Sequence, residues 1–128
     1  MRGHRPFLGA QQNIPSLDTK VRFIDDCEVP GHLYDLGSYP GLVETHITDN
    51  PPLVQSELYE VLDPIALILL DEYEGFDQDK AEASRYVRKQ IKVRNLSVSA
   101  WCYFYNWDVE PDELIPSGCW RSHSSHKK

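Results

Sequence analysis

Apolar and polar residues alternate most cleanly between Leu53 and Val61. Val54, Ser56, Leu58 and Glu60 fall on one side, with Leu53, Gln55, Glu57, Tyr59 and Val61 on the other. A period of two predicts a β-strand. The pattern then changes. Behind Asp63, a good N-cap, and Pro64, which suits a first helical position, runs the apolar stretch Ile65-Ala66-Leu67-Ile68-Leu69-Leu70. Gly75 can take the left-handed turn that stops a helix. These signals predict a helix over residues 63–76, fed directly by the strand.

Elsewhere the pattern is weaker. Lys20 to Phe23 and Cys27 to Val29 read as two short strands around an acidic turn at Asp25-Asp26, and Gly31 to Leu36 can continue the second. Gly37-Ser38-Tyr39-Pro40-Gly41 is a turn, Leu42 to Ile47 another strand, and Asn50-Pro51-Pro52 a break. Residues 77–84 are polar and predict a flexible loop with room for one helical turn, able to act as a lid beside the preceding acids. Tyr86 to Arg94 and Val98 to Tyr105 form a predicted hairpin about Asn95-Leu96-Ser97. Met1 to Ala10 has no strand pattern and is expected to be loop. Glu110 to Ile115 is an ordered candidate, and residues 121–128 are expected to be a disordered tail.

The sum is about six short strands and one helix, without regular strand–helix alternation. That predicts an α+β fold, a mixed or antiparallel sheet or a small barrel, against which the helix packs. The 128 residues suffice for one core and not two. A single domain over 1–120 is expected.

Charge narrows the function classes. Lys+Arg 13 against Asp+Glu 20 gives a net charge of −7, so nucleic acid and anionic membranes are poor partners. The longest apolar run, Ile65 to Leu70, is far below a membrane span, and no signal-peptide pattern opens the chain. A cytoplasmic protein is expected. Cys27, Cys102 and Cys119 lack paired spacing, and His4, His32, His46, His123 and His126 make no ligand pattern, so no metal site is supported.

The candidate chemistry lies at the helix end. Asp71, Glu72 and Glu74 crowd the C-terminal turn, where the helix dipole disfavours anions by about 0.3–1 kcal/mol each. Asp71 and Glu74 lie three apart and repel each other, so a carboxyl pKa there is expected to rise, as a general base requires. A solvated helix end is the other reading of the same acids.

Several stretches carry a resemblance. Gly31-x-Leu33-Tyr34-Asp35-Leu36-Gly37-x-Tyr39-Pro40-Gly41-Leu42 is followed by Val54-x-Ser56-Glu57-Leu58-Tyr59-Glu60-Val61 and Leu70-Asp71-x-x-Glu74-Gly75-Phe76. Then come Tyr86-x-Arg88-x-x-Ile91-x-Val93 and Ala100-x-x-Tyr103-x-Tyr105. In that order they resemble the γ-glutamylcyclotransferase-like family, which includes the plant AIG2-like proteins. The resemblance runs from about Gly31 to Trp120. It implies a small mixed β-barrel flanked by helices. It also implies a reaction in which the α-amine of a γ-glutamyl group attacks its own side-chain carbonyl, giving 5-oxoproline and releasing the amine it carried.

By the resemblance, the family's acid/base glutamate falls on Glu74, and Tyr86 matches a tyrosine that lines the pocket. Tyr103 or Tyr105 would supply another hydroxyl, and the Tyr39-Pro40-Gly41 turn would border the site. For each tyrosine, substrate contact and plain strand packing both remain open. Arg88 is a candidate for a substrate carboxylate, although its alternating strand makes a solvated neighbour the commoner reading. The implied reaction needs no metal or organic cofactor. Its partner is a small γ-glutamyl substrate, with the protein a monomer or weak homodimer.

Two departures stand out. The family normally opens with a strand ending in Tyr-Gly-Thr-Leu or Tyr-Gly-Ser-Leu, whose amides hold substrate oxygens, often followed by Met-Arg-Gly. This chain begins Met1-Arg2-Gly3, so a missing N-terminal strand and loop are expected. Ser56 stands where the family usually has glycine, on the expected pocket floor. Both departures leave a non-catalytic small-ligand or protein-binding member of the fold as the alternative reading.

Overall fold

The computed structural model describes residues 6–11, 19–45 and 49–125. Met1-Arg2-Gly3, His4, His46 and His126 lie outside them. Among the described residues seven strands form: β1 (Phe7–Ala10), β2 (Val21–Pro30), β3 (His32–Asp35), β4 (Pro40–Val43), β5 (Leu53–Val61), β6 (Tyr86–Lys92) and β7 (Ser99–Tyr105). The same residues hold two helices, α1 (Ile65–Glu74) and α2 (Trp120–Ser125), and short 3-10 segments at Gln78–Ala83 and Pro111–Glu113. The main sheet has the order β2-β5-β1-β7-β6, and β3 pairs with β4 in a separate two-stranded sheet.

The alternation seen in β5 sets the layers. Val54 and Leu58 join Cys27, Val29, Ala100, Cys102 and Phe104 on one face, against Leu33 and Leu42 of the β3–β4 hairpin and Ile115. Val61 lies with Leu8, Val21, Tyr86 and Tyr103 on the other face, where Ala66 and Leu70 of α1 pack. The sheet is thus sandwiched between a hairpin and a helix. Among the described residues no helix is long and apolar enough to cross a membrane.

The expected barrel is not found among the described residues: the strand order is linear, with β2 and β6 at its edges. The sheet nonetheless curls until those edges approach. The Arg94 N–H donates to the Glu28 carbonyl at 2.8 Å, and the Glu28 N–H donates to Asn95 Oδ1 at 2.9 Å. β3 and β4 pair with each other instead of bridging the remaining gap.

Three further expectations are corrected. Asp25-Asp26 is not a turn: β2 runs through both acids, with a register irregularity between Phe23 and Asp25. An edge strand tolerates outward charges, which also discourage pairing with other chains. Residues 121–125 are not a disordered tail but most of α2, held by Arg121 on Glu57 and by the His123 ring nitrogen 2.8 Å from Asp35. Phe7–Ala10 is not loop but the middle strand of the sheet. It pairs antiparallel with Glu57–Glu60 and sets Leu8 opposite Trp101 in parallel with β7.

A glycine in a central strand normally weakens it. Gly9 is needed here because a Cβ would sit 2.9 Å from Cys102 Sγ, which is fully buried in β7. Gly9→Ala is expected to destabilise the fold by about 1–3 kcal/mol through overpacking. Combining it with Cys102→Ala should recover at least ~0.5 kcal/mol of that loss as coupling energy. Chemical denaturation of the four proteins of this cycle checks the prediction, and a cycle with no coupling would place β1 elsewhere.

Candidate active site

The end of α1 organises the site. At the start of the helix Asp63 Oδ1 accepts from the Ile65 N–H at 3.1 Å, so the aspartate caps as expected, one residue ahead of Pro64. At its end Gly75 adopts φ 77°, and the Gly75 and Phe76 N–H groups turn back to the Glu72 and Asp71 carbonyls. This left-handed closure ends the helix at Glu74 and aims the following chain away from it.

Asp71 is not a solvated acid. Arg88 grips it with both edge donors, Nε to Oδ1 at 2.7 Å and Nη2 to Oδ2 at 3.0 Å, while the Tyr103 hydroxyl donates to Oδ1 at 2.6 Å. The guanidinium lies 4.6 Å from the Trp101 ring centroid and 5.9 Å from that of Phe76. The solvated Arg88 of the alternating-strand reading is therefore corrected: its side chain is only 10% exposed and committed to Asp71. Alternation places Arg88 on the face that α1 covers, and the helix supplies the counter-charge.

Glu74 is treated differently. Among the described residues no hydrogen bond or ion pair reaches its carboxylate. Burial pushes its pKa from 4.5 up to about 7, and the Arg85 guanidinium opposes that rise. The rise matches the sequence-based expectation in direction but not in cause. Repulsion by Asp71 makes no contribution to it. Desolvation is the dominant cause.

Three other elements converge on this helix end. Tyr86, at the start of β6, donates its hydroxyl to the Pro40 carbonyl at 2.9 Å and meets Tyr105 of β7 edge-on at 5.3 Å. Arg85 precedes it and donates Nη1 to the Tyr39 hydroxyl at 3.1 Å, with its guanidinium 5.8 Å from the Tyr39 ring centroid. Burial raises the Tyr86 and Tyr103 hydroxyl pKa values, and the nearby Glu74 charge adds to both.

The structure thus brings Glu74, Tyr86, Tyr103 and Tyr39 into one neighbourhood. The hydroxyls of Tyr86 and Tyr103 already have protein acceptors, so these residues build the wall as well as line it. Sequence reasoning missed Arg85, whose one signal was its position beside Tyr86. The loop after the helix is not a loose lid: the Asn106 side-chain amide donates to the carbonyls of Ala81, Glu82 and Ser84.

Ser56, expected on the pocket floor, instead borders a separate cleft formed with Gln11, Glu57, Cys119, Trp120 and Arg121, which does not contain Glu74. Its hydroxyl accepts from Gln11 Nε2 at 3.1 Å and donates to the Val54 carbonyl at 3.3 Å. The serine is thereby satisfied in a buried position.

Comparison with known proteins gives this geometry a context. The profile of the family described as Gamma-glutamyl cyclotransferase, AIG2-like, matches residues 6–122. A Vibrio cholerae protein, provisionally named a gamma-glutamylcyclotransferase, is 33% identical over 88 residues. That match covers 69% of this chain and spans 64% of the relative's length. The solution structure of ytfP from Escherichia coli superposes with a TM-score of 0.63 at 24% identity, covering 92% of this chain and 98% of that one. An AIG2-like protein from Mus musculus gives a TM-score of 0.62 at 19% identity, covering 92% and 89%. The two superpositions establish a shared fold, and the profile match establishes kinship: the chain belongs to the gamma-glutamyl cyclotransferase, AIG2-like family.

Proposed function

We propose that the chain is a γ-glutamyl cyclotransferase that closes a γ-glutamyl amine or peptide to 5-oxoproline, with Glu74 as general acid and base. The observation that carries this reading is the state of Glu74: an unpartnered, desolvated carboxyl whose pKa of about 7 suits proton transfer in both directions near neutral pH.

The substrate's α-ammonium gives Glu74 a proton, and the freed amine attacks the γ-carbonyl carbon. The new C–N bond closes the five-membered ring. Glu74 returns its proton to the departing nitrogen as the old C–N bond breaks, and the second proton shed by the ring nitrogen passes to the freed amine, which leaves as its ammonium ion. Of the three protons on the starting ammonium, one stays on the lactam nitrogen and two leave on the released amine. Because nucleophile and electrophile belong to one molecule, the site mainly has to fold the substrate and hold the proton. Tyr86 and Tyr103, whose hydroxyls sense the Glu74 charge, stand near that carboxyl and support the role.

The test is 5-oxoproline release from a panel of γ-glutamyl amines and amino acids. Glu74→Gln is expected to lower kcat/KM by about 100-fold or more. In the active protein kcat/KM should rise with pH through an inflection near 7, as Glu74 takes its basic form. Absence of release by the folded protein across the panel would move the reading to a small-ligand or protein-binding member of the family.

A stability measurement checks the same group without substrate. A carboxyl whose folded pKa is raised favours folding while protonated, and that contribution is lost as pH climbs from about 4.5 through about 7. Glu74→Gln removes the cost of holding the ionised form. Allowing for partial exposure, the variant is expected to be more stable than the parent by about 1–2 kcal/mol at pH 8 and nearly equal to it at pH 4. Thermal or urea unfolding at both pH values reads this out; equal stability at pH 8 would mean that Glu74 is not desolvated.

A further inference from the structure

We infer that Arg85 anchors the α-carboxylate of the substrate, so that Glu74 and Arg85 together read a free α-amino-acid head. The inference rests on the cyclotransferase reading for the reaction that follows binding, but its geometry stands apart from turnover.

An α-amino-acid head carries an ammonium and a carboxylate on one carbon. A site that recognises it needs an acid and a base that are neighbours, yet are not already neutralised by each other. Glu74 and Arg85 meet this condition. The guanidinium is close enough to pull the Glu74 pKa down against the effect of burial, while no ion pair joins the two groups. The chain holds them on separate elements, at the end of α1 and just before β6. A Cβ on Gly75, next to Glu74, would lie 3.9 Å from the Arg85 Cβ.

The orientation of Arg85 adds a second argument. Its Nη1 is donated to the Tyr39 hydroxyl and its face rests near the Tyr39 ring. Among the described residues its Nε and Nη2 have no protein acceptor. This is the same edge with which Arg88 binds Asp71 in a two-point contact. Arg85 therefore offers the donor pair that matches a carboxylate.

The other cations with described ion pairs are committed: Arg88 to Asp71, Arg22 to Glu60, Lys89 to Glu44 and Arg121 to Glu57. Tyr39 then acts as a positioning residue, holding Nη1 of the guanidinium and leaving the Nε–Nη2 edge for a ligand. The site would accept γ-glutamyl compounds with a free α-carboxylate and reject those in which it is amidated or bonded to a following residue.

Two arms test this with the parent protein, Arg85→Lys and Arg85→Met. The first measures amine release from γ-glutamyl ethylamide and from the same compound with its α-carboxylate converted to a carboxamide. The parent should prefer the acid by roughly 100-fold in kcat/KM, mostly through KM, since the carboxylate takes no part in bond making. Arg85→Met should cut that preference below about threefold, and Arg85→Lys should fall between. A preference unchanged in folded Arg85→Met overturns the inference while leaving the cyclotransferase reading intact.

The second arm titrates each protein with 5-oxoproline and with its neutral carboxamide, followed by NMR. If neither substrate turns over, the cyclotransferase reading fails and this arm decides alone. Binding that requires both Arg85 and the carboxylate sustains the carboxylate site. Equal binding of acid and amide, or none of either, overturns it.

Discussion

The contact on which the site depends is the two-point ion pair between Asp71 and Arg88. It joins the last turn of α1 to the middle of β6, and the Tyr103 hydroxyl ties it to β7. Both side chains are largely buried, at 15% and 10% exposure, so the gain from their attraction is offset by the water each has lost. Removing either partner leaves the other charged and desolvated, which typically costs about 3–5 kcal/mol. The pair therefore specifies more than it stabilises. It permits one rotation of the helix about its axis, and that rotation determines where Glu74, three residues further on, points.

The same pair explains why two acids on one helix turn have opposite fates. Asp71 receives a two-point guanidinium and a hydroxyl donor, whereas Glu74 receives burial without a described hydrogen-bond donor, and the neighbouring Arg85 guanidinium only partly offsets it. Asp71 does not figure among the causes of the Glu74 shift. What remains at Glu74 is a desolvation cost, released when a proton or a cationic substrate arrives. The stability lost by burying Glu74 is thus the source of its basicity, a conflict between local stability and function that is common at reactive sites.

Much of this was legible in the sequence where short-range rules govern. Helix α1 follows from Asp63, Pro64 and Gly75, strand β5 follows from its alternation, and the crowded acids marked the helix end. The misses have a common cause in tertiary packing. Phe7–Ala10 lacks alternation because a strand buried on both faces needs none, and Gly9 answers to Cys102, far away in the chain. The helix at Trp120 is too short to announce itself, and is held by contacts with Asp35 and Glu57. Arg88 looked solvated because its counter-charge sits on another element. The true cause of the Glu74 shift was hidden for the same reason: repulsion can be read from spacing, but desolvation and neutralisation cannot.

The arrangement also clarifies what an intramolecular cyclisation asks of a small fold. In the proposed reaction the protein would supply no second reactant, so its contribution would lie in holding a flexible substrate bent and in relaying protons. Both needs are met by the ends of elements, not their middles. Glu74 ends α1, Arg85 lies just before β6 and Tyr86 opens it, Tyr105 ends β7, and Tyr39 lies in the turn before β4. Side chains at element ends have room for a ligand, but they lack the order that regular structure imposes. Here that order is restored by cross-ties, Tyr86 to the Pro40 carbonyl and Arg85 to Tyr39, which hold a turn and a strand together. The edge-on contact of Tyr86 and Tyr105 extends the tie to β7. Such cross-ties beside a carboxyl that has no hydrogen-bond partner among the described residues would let it remain under-solvated without the site collapsing around it, the condition the proposed general base requires.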